Sequence, residues 1–282
     1  MTAGTAIRAA FLFLLLGGPA AASTAVGERQ PPSGPRGVDL VYAVHIGGIH
    51  AVDLKIRLTL DADEYRVELS SHIDGLVRYL LPWSLRVDSK GRVAGQRLVP
   101  ESVHTESSWR GKRRWRTLEY KDGRPVVVSV EPKRKAPPIP PEKLTGAVDV
   151  ATAILTVARA VPSEKSCAVR VPVFDGRRRF DAVIEAHGED ELPRSSRSAY
   201  SGKAEVCDLA IEVLHDRRKE TDYGGLAGGD KTMTFWFARL FDGIYPLPVR
   251  VQLDTDLGGV IGHLTSARMD GAGQSKVYML PP

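Results

Sequence analysis

The chain has 282 residues, 43% of them apolar and 26% charged, and a formal net charge of +5. That balance excludes a disordered chain and fits one large β domain or two small ones. After residue 22 no stretch approaches the roughly 20 apolar residues of a bilayer-crossing helix, which excludes a chain that spans a membrane by helices from there on.

The first segment reads as an export signal. Arg8 supplies a short positive region, Ala9 to Leu16 is an unbroken apolar run, and Gly17-Gly18-Pro19 ends it. Ala20-Ala21-Ala22 then places small residues where a signal peptidase cuts, so residues 1–22 have the parts of a secretory signal peptide. The alternatives are an uncleaved membrane anchor or a buried helix, and the shortness of the run weighs against the anchor. No cysteine adjoins the cleavage site, so a lipoprotein signal is absent. A soluble mature protein starting near Ser23 is expected; cleavage near Ala22 removes Arg8 and no acid, lowering +5 to +4. Residues 23–37 are polar and rich in Pro and Gly, a flexible leader.

From Val38 the chain alternates in short runs bounded by turn residues. Val38–Ile46 and Ile49–Leu60 flank Gly47-Gly48, a pair suited to a two-residue hairpin turn with positive φ. Tyr65–Ser70 has a period of two, and Asp88–Gly91 and Lys121–Gly123 read as further turns. Pro132 to Pro141 is a Pro-rich connector favouring extended backbone. It leads to the one helical pattern, Val150 to Ala160, with Asp149 placed to cap it. Val150, Ile154, Val157 and Ala158 share one face of that helix and are expected to line a cavity within the sheet. Asp175-Gly176 joins Val169–Phe174 to Arg179–Ile184, and later strands are expected at Ala204–Leu214, Thr232–Ala238, Val249–Thr255 and Val260–Met269. The spacing predicts an antiparallel meander or barrel, with no internal repeat.

Two cysteines, Cys167 and Cys207, lie in strand-like apolar settings. An even count in an exported chain reads as a disulfide, against the alternative of two reduced buried thiols.

Motifs of catalysis are absent from this pattern. Gly224 to Thr232 resembles a phosphate-binding loop superficially, but Asp230 separates the last Gly from Lys231 and a strand-like run follows. His45 and His50 would face each other across the first hairpin, close enough to share a metal but with no third ligand near in sequence, so a solvent-facing pair is expected. No Ser sits in a nucleophile elbow and no pair of carboxylates is singled out. An enzyme whose residues meet only in three dimensions stays open as an alternative.

Basic clusters are the most visible surface feature. Arg110, Lys112, Arg113, Arg114 and Arg116 lie around Trp109 and Trp115; others are Lys133–Lys135, Arg177–Arg179 and Arg217–Lys219. They read either as solvated hairpin tips or as a face for anionic lipid headgroups. Nucleic acid is set aside, because an exported protein rarely meets it.

These residues carry a resemblance. Tyr42-Ala-Val-His-Ile-Gly-Gly-Ile-His50, Thr145-Gly-Ala-Val-Asp-Val-Ala-Thr-Ala-Ile-Leu155 and Val171-Pro-Val-Phe-Asp-Gly-Arg-Arg-Arg-Phe-Asp181 are similar to segments of the exported bacterial proteins grouped as domain-of-unknown-function family 3108. Tyr200-Ser-Gly-Lys-Ala-Glu-Val-Cys207, Trp236-Phe-Ala and Asp242–Arg250 extend the likeness, which covers about Val38 to Met269. Val150 departs from it, since a Pro is expected after Asp149. The resemblance implies an envelope location in Gram-negative bacteria and a β-rich fold, supports a Cys167–Cys207 pairing, and transfers no catalytic residue.

The sequence therefore predicts a mainly β domain over residues 38–282, a strongly curved antiparallel sheet or half-open barrel wrapped around one α-helix. The expected role is a periplasmic, non-catalytic binding or carrier protein for an apolar or lipid-like ligand in the cell envelope, with possible peripheral membrane contact and no cofactor or metal. The alternatives are a ligand-free envelope scaffold or protein-interaction module and, behind it, a hydrolase with an unrecognised site.

Overall fold

A computed structural model describes residues 36–73, 82–133, 138–164, 167–215, 232–255, 258–270 and 276–280. The residues read as a signal peptide, most of those read as a leader, the Gly224–Lys231 loop, Arg134-Lys135 and Arg217–Lys219 lie outside these residues.

Period-two alternation turns most of the described chain into strands. These are β1 (Arg36–Ile46), β2 (Ile49–Leu60), β3 (Glu64–His72), β4 (Trp83–Ala94), β5 (Arg97–Trp109), β6 (Lys112–Lys121) and β7 (Arg124–Glu131). After a short 3-10 turn at Pro141–Leu144 and the helix α1 (Val150–Glu164) come β8 (Val169–Phe174), β9 (Arg179–Leu192), β10 (Gly202–His215), β11 (Met233–Ala238), β12 (Leu247–Thr255), β13 (Gly258–Asp270) and β14 (Lys276–Met279).

All fourteen strands belong to one sheet in the order β7-β6-β5-β4-β3-β2-β1-β13-β12-β11-β10-β9-β8, with β14 added beside the second half of β13. Two meanders, β1–β7 and β8–β13, thus meet where β1 pairs with β13, placing Tyr42 opposite Leu264 and Leu40 opposite Ala267. All of those side chains are buried. The sheet curls until the stretch before the helix bridges the edge strand β8 to the β6–β7 turn. Val148 donates to the Pro172 carbonyl (2.9 Å) and accepts from the Phe174 N–H (2.8 Å), while Gly146 donates to Gly123 in the β6–β7 turn (3.1 Å). Leu118, Ile139, Leu144, Ala147 and Phe174 pack this seam shut. The result is the nearly closed, barrel-like form that the alternation predicts.

Gly47 and Gly48 form the first hairpin turn at φ 56° and 84°, conformations that cost glycine least. One expected turn is absent. Asp88–Gly91 lies inside β4, because Gly91 serves close approach rather than chain reversal: a Cβ there would stand 2.6 Å from the Tyr65 hydroxyl and 2.4 Å from the Val99 carbonyl. At the other end, β1 takes in Arg36 and Gly37, the last two residues read as leader.

Asp149 caps α1 as the sequence predicts, accepting from the N–H groups of Ala151 (3.0 Å) and Thr152 (3.1 Å). Its second oxygen accepts from the Thr152 hydroxyl (2.6 Å), which also meets Tyr65 Oη (2.7 Å) and so anchors the first turn to β3. At its other end the Arg159 guanidinium donates to Gly95 in the β4–β5 turn. Val157 and Ala158 are buried, with Val161, against Val171, Val173, Ile184 and Phe237. Val150 and Ile154 depart from expectation: they are 46% and 40% exposed. The apolar stripe is covered only where β8 to β11 lie against it, and the anchor at Thr152 pulls the first turn towards the opposite wall.

Candidate functional site

The helix fills one half of the barrel. It starts beside Tyr65, the second residue of β3, and its Arg159 reaches the β4–β5 turn, so both anchors lie towards the end of the barrel away from the β1–β2 and β5–β6 hairpins. Burial of the inward-facing residues falls along β2 and β4 in that direction. On β2, Leu58 is buried while Ile56 and Leu54 are half-buried; on β3, Tyr65 and Val67 are buried, Leu69 is half-buried, and Ser71 and, just after the strand, Ile73 are buried again. On β4, Gly91 and Ser89 are buried but Val87, Leu85 and Trp83 are not fully covered. The register places these on one face, since Leu69 pairs with both Ile56 and Val87, and Ser71 with both Leu54 and Leu85. Across the barrel, Val249 is fully buried, Val251 and its partner Phe235 are half-buried and Leu253 is buried again. Along β2 and β4 the hairpin half thus carries apolar inward side chains that are only half-covered.

The five bases of the β5–β6 hairpin do not form one cluster. Leu118 and Val103 pair and are buried inside, so Arg116, Arg114 and Lys112, at even steps from Leu118, lie on the inner face opposite Thr105, Ser107 and Trp109. Arg113 lies on the outer face and pairs with Glu106. Arg116 lies over the β8–β9 turn, where its Cδ would be 2.6 Å from a Cβ on Gly176, so it belongs to the seam. Arg110, at φ 49° in the turn, stands 5.7 Å over the Trp109 ring. Lys112 and Arg114 remain, exposed at the rim beside Trp109, which pairs with Trp83. Arg177–Arg179 also divide, for Arg178 pairs with Asp175 and Arg179 with Asp181. Alternation along Lys112-Arg113-Arg114 was the signal for this split; it lacked only the knowledge of which face is inner.

Inside the barrel, Asp149, Thr152, Ser89, Tyr65 and Tyr120 form a polar group. Burial pushes the Asp149 carboxyl above its ordinary range, against the hydrogen bonds from Thr152 and Ala151, and pushes the Tyr65 and Tyr120 phenols up as well. Capping and anchoring account for these contacts.

His45 and His50 face each other as predicted, ring centroids 5.5 Å apart. A third histidine, His263 on β13, adds its ring 5.8 Å from His45, a neighbour that sequence spacing could not reveal. His50 instead bonds Asp53 at 2.8 Å, and among the described residues no three His, Cys, Asp or Glu are grouped to hold a metal ion. Burial, with Arg250, His45 and Arg197 nearby, lowers the His263 pKa from 6.5 to about 4. The neutral ring is thus favoured in the folded state, and its contribution is present above pH 6.5 and lost as pH falls towards about 4. Allowing for solvent screening, the loss is about 1–2 kcal/mol. In urea unfolding at pH 7.5, 5.5 and 4.5, His263→Gln is expected to flatten the decline by that amount; an unchanged pH profile would contradict it.

A crystal structure of a beta-barrel-like protein of domain of unknown function DUF1849 from Brucella abortus is similar at 10% identity and a TM-score of 0.46, covering 86% of this chain and 99% of that one. No curated protein matches the chain significantly. A family model matches residues 41–265, most of the described barrel including the β1–β13 junction and both cysteines, and the chain belongs to that family, described as protein of unknown function (DUF3108).

Proposed function

We propose that this protein is a non-catalytic binding or carrier protein of the bacterial cell envelope, exported by residues 1–22, that holds an apolar or lipid-like ligand in the hairpin half of its barrel. The observation that carries this reading is the change in burial along single strands, from Leu58 to Leu54 on β2 and from Gly91 to Trp83 on β4. Protein interiors are normally close-packed, so inward apolar side chains left half-covered mark a place for something else. Barrel size supports it: about eight strands suffice for side chains alone to fill the interior, and this sheet runs through more.

The test titrates purified, delipidated protein with a fluorescent fatty-acyl probe. Saturable binding is expected in the wild type and at least a tenfold weakening in Leu85→Trp, whose larger ring would occupy the interior. No saturable binding, or equal binding by the variant, would overturn the reading.

A second reading, a scaffold that contacts another chain, is favoured by the edge strand β7, where Val126 and Val128 are 40% and 46% exposed. An edge strand with exposed apolar residues can take up a further strand.

A further inference from the structure

We infer that the ligand is an anionic amphiphile, an acyl chain ending in a carboxylate or phosphate, whose headgroup is bound by Lys112 and Arg114 at the rim of the barrel; this rests on the proposal that the interior takes the acyl chain. Three observations lead to it. Lys112 and Arg114 share the inner face of the sheet with Val103 and Leu118, so their stems leave from the wall that the chain would follow. Neither base makes an ion pair with a described residue, whereas Arg113 on the outer face pairs with Glu106 and Arg170 with Asp181 and Glu212. Their cross-strand neighbours are neutral, Trp109 opposite Lys112 and Ser107 opposite Arg114, with Trp83 and Leu85 beyond on β4.

This set of groups suits an amphiphile. Leu54, Leu69, Val87 and Leu85 carry the apolar wall, Trp83 and Trp109 stand at its boundary, and the two cations flank that boundary, Lys112 level with the two Trp and Arg114 level with Ser107 and Leu85. Aromatic rings with one apolar and one polar end favour such a boundary. A neutral ligand would leave both cations unused, and a cationic one would meet like charge. Arg supplies a planar fork for two oxygens of one headgroup and Lys a single movable donor, which suits a carboxylate or phosphate alike.

The experiment compares hexadecanoic acid, hexadecanol and hexadecyl phosphate as competitors of the fluorescent acyl probe. Each is tested on the wild type, on Lys112→Gln/Arg114→Gln and on Arg113→Gln, at low and physiological salt. The wild type is expected to prefer both anions over the alcohol, and the double variant to lose about tenfold in affinity for the anions and nothing for the alcohol. Arg113→Gln is expected to behave as wild type. A preference for one anion over the other identifies the headgroup as carboxylate or phosphate. Equal binding of all three competitors, unchanged by the double variant, overturns the headgroup site while leaving the apolar interior in place. Failure of every competitor and of the probe overturns both.

Discussion

Cys167→Ala/Cys207→Ala is expected to lose about 4 kcal/mol of unfolding free energy relative to the oxidised wild type, the value that the chain-entropy account gives for the loop these residues close. Their sequence separation is 40 and their Cα atoms lie 6.1 Å apart. The bond ties Cys167, two residues before β8, to β10 across the intervening β9, so it fastens the sheet's edge at the place where α1 packs. Cys167 and Cys207 are 2% and 0% exposed, so substitution also leaves small gaps beside Val171 and Phe237. Urea unfolding of the oxidised wild type, the reduced wild type and the double variant checks this. The two bond-free forms should unfold at similar, lower midpoints. An unshifted midpoint in both would show that the strand ladders alone hold this edge.

Gly91→Ala is expected to cost about 3 kcal/mol or more, near the upper end for forced overpacking. The added Cβ would lie 2.4 Å from the Val99 carbonyl oxygen, 2.6 Å from Tyr65 Oη and 2.8 Å from Pro100 Cα. Two of these are backbone atoms and cannot swing aside. Displacing Tyr65 would also break its hydrogen bond with Thr152 and loosen the start of α1. Tyr65→Phe added to Gly91→Ala should recover only part of the loss, since it clears the hydroxyl and leaves the backbone collision. Thermal unfolding of Gly91→Ala, Tyr65→Phe and the double variant measures this, and full recovery in the double variant would refute the backbone argument.

What could be read from the sequence was local. Gly47-Gly48 announced a hairpin because two adjacent residues needed positive φ, and Asp149 announced a helix start because a carboxylate there meets unpaired N–H groups. Period two gave the strands, hence the sheet, and the cysteine pair followed from their even number in a chain read as exported. The misreadings all concern partners remote in sequence. Gly91 looked like a turn because Tyr65 and Val99, which make it necessary, approach only in the folded sheet. Val150 and Ile154 share a helix face with Val157 and Ala158 by their spacing, but which turns of a helix are covered depends on where β8 to β11 pass. His263 joined His45 only through the pairing of β1 with β13. The basic hairpin was visible as charge, and its division into an inner and an outer face became visible once Leu118 and Val103 fixed the direction of the interior.

The pairing of β1 with β13 also bears on how the chain reaches its fold. The first strand and one of the last form the join between the two meanders, so the ladder at the middle of the sheet closes only when almost all of the chain is present. Contacts of such long sequence separation are reached slowly, after the entropy of closing a very large loop has been overcome. Until then β1 has one open edge, with Leu40 and Tyr42 uncovered, which favours binding by a chaperone or by another copy of the chain. A chain threaded through a membrane from its N-terminus would therefore stay unfolded for most of its passage, the condition that translocation requires.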